Sequence, residues 1–210
     1  KRYWKPVYCY LRRKGYDNET SKDLTQGFFQ EVILGRELVQ QASQAKGRFR
    51  TFLLTAVDRY VIDIHRYQTT DKRRPSGQLF KLDDPDFWVE PKAAEDSTPE
   101  ESFNYAWISD LLDRVLSEVK NEFLDTGKQI HWQVFDEKIL KPIITSSDAP
   151  SLKDICAKYG ISNEKTVSNM MITVKRRLRK SMERCLRQYA HSDSQVQQEI
   201  FEMLNVFLKK

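Results

Sequence analysis

Along most of this chain, apolar positions recur every three or four residues, the period of one face of an α-helix. Tyr3–Lys14 places Trp4, Val7, Tyr8 and Leu11 at that spacing, and Gly15 with Asn18 then breaks it. Ser21–Leu34 repeats Leu24, Phe28 and Val32 at i, i+4 and i+8, leaving Asp23 and Gln26 on other faces. Gly47 punctuates a polar loop, and Arg48–Arg66 follows with Phe49, Phe52, Leu53, Ala56, Val57, Tyr60 and Ile64. So broad a stripe is expected of a helix at the centre of a bundle. Two more helices are predicted at Phe103–Leu124, closed by Gly127, and Gln129–Leu140, closed by Pro142. Val196, Ile200, Met203, Leu204 and Phe207 mark a last amphipathic segment. No alternating strand pattern occurs, so the expected fold is all-α.

A shorter pattern lies between those segments. Ser151 is a good N-cap and Asp154, three residues on, completes a capping-box pattern. Leu152, Ile155, Cys156 and Tyr159 make one apolar stripe, Gly160 suits a left-handed stop, and Ile161 supplies the contact that accompanies such a stop. Ser162 or Asn163 then caps a second helix with Val167, Met171, Val174 and Leu178 on its inner side. At 100° per residue these four fall within about 60° of arc. The opposite side carries Lys165, Asn169, Ile172 and Arg176. A cation, an amide, an apolar group and an arginine are the side chains that contact base edges and phosphates. The expectation is a helix-turn-helix, with Arg177, Arg179 and Lys180 extending the positive charge.

Proline placement divides the chain. Four of the seven prolines (Pro75, Pro85, Pro91, Pro99) fall in one window beside Ser76, Gly77 and an acidic run. Residues 71–101 therefore read as an acidic linker between two helical domains, 1–70 and 102–190, with 191–210 as a C-terminal extension. Phe87 and Trp88 in that linker imply that it docks on something.

Charge sharpens this division. Residues 1–80 carry 16 Lys and Arg against 8 Asp and Glu, residues 81–101 carry 2 against 8, and residues 151–190 carry 10 against 3. Two basic blocks around an acidic middle are the footprint expected of a phosphate-binding surface, and a solvated helix face would look equally basic. Cys9, Cys156 and Cys185 are far apart and form no CxxC pair, and His65, His131 and His191 are as scattered. No metal, cofactor or disulfide is expected from them. No carboxylate pair, nucleophile elbow or phosphate-binding glycine loop supports an enzyme. Nothing resembles a signal peptide or a membrane span, so a cytoplasmic protein is expected.

Two segments, in order, resemble one family. "SKDLTQGFFQEVI" (Ser21–Ile33) followed by "GRFRTFLLTAVDRYVIDIHR" (Gly47–Arg66) is similar to region 2 of the extracytoplasmic-function (ECF) sigma factors of bacterial RNA polymerase. "SLKDICAKYGISNEKTVSNMMITVKRRLRK" (Ser151–Lys180) resembles their region 4. The resemblance implies a non-catalytic protein that binds core RNA polymerase and directs it to promoter DNA. It implies that Asp23, Leu24, Gln26 and Phe29 grip the polymerase clamp. The loop Gln41–Arg48, Arg48 included, would capture a flipped base of the −10 element, and Arg59, Tyr60, Asp63 and Arg66 would read and melt it. Tyr60 also fits the apolar stripe, which makes it a core residue on the other reading. Lys165 to Arg176 would face the −35 element. The turn holds three residues between Ser162 and Thr166 where the family has two, so Ser168 and Thr173 join Asn169 as candidates for base contact. An anti-sigma protein is a further partner this family admits, and the extension after Ser192 is a place for one. The alternatives are a stand-alone helix-turn-helix regulator with a sensing or dimerising N-terminal bundle, and a degenerate sigma-like adaptor.

Overall fold

The computed structural model describes residues 3–33, 49–70 and 97–187, together with Gln198. The described residues form helices joined by short turns and loops, with no strand among them. The all-α expectation holds. No helix among them is long and apolar enough to cross a membrane. The chain forms two compact units that meet in sequence between Asp110 and Leu111.

The first unit opens with α1 (Trp4–Arg13), which buries Val7, Tyr8, Cys9, Tyr10 and Leu11. Arg12 and Arg13 in its last turn complement the helix dipole, and Gly15 at φ +97° reverses the chain. Helix α2 (Asn18–Phe28) begins three residues before the expected Ser21. Asp17 is the reason: its carboxylate accepts the Thr20 N–H at 2.8 Å and the Thr20 hydroxyl at 3.0 Å. A π-helical turn, Phe29–Ile33, continues it. Helix α3 (Phe49–Thr70) buries Leu53, Val57 and Val61 at i, i+4 and i+8.

Helix α4 (Pro99–Asp125) starts four residues before the expected Phe103. Thr98 and Glu101 form a reciprocal cap, with Thr98 N–H donating to Glu101 Oε2 at 2.9 Å and Glu101 N–H to Thr98 Oγ1 at 3.2 Å. Residues 99–101, which the sequence pattern assigns to the linker, are thus the first turn of a helix. The rest of the linker up to 96 lies outside the described residues. The early part of α4 belongs to the first unit, and the boundary between the two units falls inside this helix. Phe103 stacks on Tyr3, and Ala106 packs with Tyr8 and Cys9. Arg50 is buried between Asn104 Oδ1, 2.8 Å away, and the Trp107 ring, 4.3 Å from its guanidinium carbon.

The second unit takes up α4 with Leu111, Val115, Val119 and Phe123, four residues apart and all buried. Helix α5 (Gln129–Phe135) passes through a π-helical turn, Asp136–Leu140, into α6 (Lys141–Thr145). The sequence pattern ends this segment at Pro142, yet the helix runs past it to Thr145. A proline ring clashes with the carbonyl four residues earlier in a regular α-helix. Here that carbonyl, of Lys138, lies in the π-helical turn. Helix α7 (Leu152–Tyr159) and helix α8 (Glu164–Arg187) complete the unit. One core cluster joins Val119, Phe123, Trp132, Phe135 and Val174, and another joins Val134, Ile155 and Val167.

Candidate nucleic-acid interface

The ends of α7 are fixed locally, as the sequence predicts. Ser151 Oγ accepts the Asp154 N–H at 3.1 Å while Asp154 Oδ2 accepts the Ser151 N–H at 3.1 Å. Hydrogen bonds from Ser151, hydroxyl first and backbone second, hold the Asp154 carboxyl below its ordinary range. Gly160 adopts φ +63°, and the Ile161 N–H donates to the Cys156 carbonyl at 3.0 Å. That bond closes the helix in the manner of a Schellman cap. Asn163, and not Ser162, caps α8: its Oδ1 accepts the Thr166 N–H at 2.9 Å and the Thr166 hydroxyl at 3.0 Å. Residues 160–163 therefore connect the two helices, and both sides of the connection are hydrogen-bonded.

Long-range contacts set the roll of α8. Val167 and Val174 are fully buried, and Met171 and Leu178 pack against the two clusters. Arg177 is paired with Glu122 and Arg184 with Glu118, both carboxylates on α4. Ser181 Oγ also donates to Glu118, at 3.1 Å. Helix α7 is tied down by Glu137, which accepts Lys158 Nζ at 2.6 Å and the Tyr159 hydroxyl at 2.9 Å. Those two bonds, Lys158 foremost, hold the Glu137 carboxyl below its ordinary value. Burial, helped by the bond to Glu137, pushes the Tyr159 phenol up to about 12.

With this roll, Lys165, Asn169, Ile172, Thr173 and Arg176 are exposed together and Ser168 is half-buried beside them. The Thr173 hydroxyl donates to the Asn169 carbonyl at 2.8 Å, so its proton is taken up within the helix. Among the described residues Lys165, Lys175, Arg176 and Lys180 carry no ion pair. Arg177 and Arg179, expected to extend the positive face, differ from them: Arg177 is held by Glu122 and Arg179 by Glu183 at 3.0 Å. Lys175 escapes the sequence pattern because it lies between the inner and outer stripes.

In the first unit the expected contact residues separate. Asp23 is exposed, whereas Leu24 is buried and belongs to the core. Gln26 is half-buried with its Nε2 enclosed and, among the described residues, without a hydrogen-bond acceptor. Phe29 is half-buried and stacks on Trp4 at 4.7 Å. On α3, Arg59, Asp63 and Arg66 are exposed on one side, with Arg66 4.0 Å from Asp63. Tyr60 turns inward, edge-on to Phe28 at 5.8 Å, and burial pushes its phenol up to about 12, with Glu31 adding to the rise. The core reading of Tyr60 is the one its packing fits. Ile62 and Tyr67, which no motif singled out, are exposed beside the α3 cations. By period Tyr67 continues the buried stripe, so only the extent of packing along α3 reveals it. Arg48 and its loop lie outside the described residues. Comparison of the chain with protein-family models, with curated proteins and with solved structures found no match.

Proposed function

We propose that the chain is a promoter-specificity factor of the ECF sigma type, in which α7 and α8 form a helix-turn-helix and α8 enters the major groove. One contrast along α8 carries this reading. Arg177, Arg179 and Arg184 are neutralised by carboxylates, while Lys165, Lys175, Arg176 and Lys180 are left without ion pairs among the described residues, beside Asn169. Like charges repel along one helix, and an anionic partner turns that repulsion into binding energy. Asparagine and arginine on such a face have the donor and acceptor geometry for adenine and guanine edges. The residues of α7 support the reading because Ile155 packs with Val167 of α8 and each helix has its own N-terminal cap. The link to RNA polymerase rests on the sequence resemblance, to which exposed Asp23 and the exposed cations Arg59 and Arg66 conform.

Gel mobility with genomic DNA fragments tests this, using the chain alone, core bacterial RNA polymerase alone, and both together. The expected result is sequence-selective retardation with both and not with either one. If all four unpaired cations meet phosphates, the logarithm of affinity should fall with the logarithm of salt with an added slope of roughly 3–4. Selective binding by the chain alone would favour a stand-alone regulator. No selectivity in any combination would refute DNA reading.

A further inference from the structure

We infer that the DNA sequence read by α8 contains a thymine whose C5-methyl group packs on Ile172, one or two base pairs from an adenine held by Asn169. This inference rests on the reading above and names what the helix selects. Ile172 is 52% exposed, in the middle of a face otherwise made of cations, an amide and a threonine. The cores of this unit have taken their apolar side chains from the other side of α8, where Val167 and Val174 are fully covered. Ile172 therefore stands outside the packing that fixes the fold. A phosphate backbone offers such a side chain nothing, whereas the floor of the major groove carries one apolar group, the thymine methyl.

The neighbours narrow the geometry. Thr173 commits its hydroxyl proton to the Asn169 carbonyl, so it offers a base edge only an acceptor, whereas Asn169 offers both a donor and an acceptor. Asn169 and Ile172 are three residues apart, about 4.5 Å along the helix axis. Base pairs stack about 3.4 Å apart. An amide and an isoleucine so spaced reach base pairs one or two steps apart. Asn169 suits the adenine N6 and N7 atoms, and Lys165 and Arg176 bracket the pair at either end.

The experiment selects duplexes from a random library with the full chain and core RNA polymerase, then replaces each thymine of the selected upstream site, on either strand, with deoxyuridine. Uracil pairs as thymine does and lacks only the methyl. One position should lose about fourfold in affinity, the worth of one buried methyl group. Ile172→Ala should abolish that difference between thymine and uracil, and Ile172→Val should keep most of it. Selection that stays sequence-specific and depends on Asn169 and Arg176, but is indifferent to deoxyuridine everywhere, overturns this inference and leaves DNA reading by α8 standing. Failure to select any sequence overturns both.

Discussion

A methyl group added at Gly27 would lie 2.2 Å from Tyr60 Oη, a distance no real contact reaches. The glycine is thus where α2 lets the α3 tyrosine close on Phe28. Gly27→Ala should destabilise the first unit by about 1–3 kcal/mol through overpacking. In a Tyr60→Phe background the nearest ring atom is 3.4 Å away, and the same change should be neutral or gain up to about 1 kcal/mol of helix propensity. Urea denaturation of the four variants measures this, and equal losses in both backgrounds would remove the tyrosine from the explanation. Residues on α8 divide in the same concrete way. Arg177→Ala breaks a partly exposed pair, worth about 0–1 kcal/mol of stability. Lys165→Ala breaks none, so it should leave the melting temperature unchanged while lowering the salt slope of DNA binding by about one. If Arg177→Ala moves the salt slope and Lys165→Ala does not, the assignment of paired and unpaired cations is inverted.

Elements show why some boundaries are legible in sequence and others are not. The limits of α7 are local matters, a serine and an aspartate three apart and a glycine at the end, and they fall where expected. Helix α2 has an equally local cap in Asp17, but weighing Asn18 as a break sets its start too late. Helix α4 is hidden differently: Thr98, Pro99 and Glu101 make a good start, yet their composition merges with the acidic proline-rich stretch before them. The π-helical turn ahead of Pro142 has no sequence signature at all. The capping box of α7 should be worth about 1 kcal/mol, read as the loss in unfolding free energy for Ser151→Ala. A loss near zero would show that tertiary packing alone sets this helix. The Glu137 link gives a pH test. Its folded carboxyl titrates below its ordinary value of 4.5, so its contribution is present above that value and is lost as pH falls through the folded one. Thermal melts from about pH 6 down to about pH 3 should therefore show a steeper loss in the wild type than in Glu137→Gln. Parallel curves would mean that the carboxylate does not stabilise the packing of α7 on the π-helical turn Asp136–Leu140.

For the whole molecule, the helical class was readable because a 3.6-residue apolar period runs through the longer described helices. Proline and charge mark the stretch 71–101 in the sequence, whereas the boundary between compact units, Asp110 to Leu111 inside α4, has no mark in composition. Which arginines are free was not readable, because Glu122 and Glu118 lie 55 and 66 residues from the partners they neutralise. The roles of the first unit rest on motif resemblance, and there the packing sorts Asp23 and Arg59 to the surface and Leu24 and Tyr60 inward. The central claim is that the outer face of α8 chooses promoters for RNA polymerase. The most direct test is run-off transcription by core bacterial RNA polymerase on a genomic fragment library, with the wild-type chain and with Asn169→Ala plus Arg176→Ala. Transcripts should require the chain, start downstream of a shared motif, and fall or change motif with the double variant while its melting temperature stays that of the wild type. Transcription that depends on the chain but keeps the same upstream motif in the double variant would contradict the central claim.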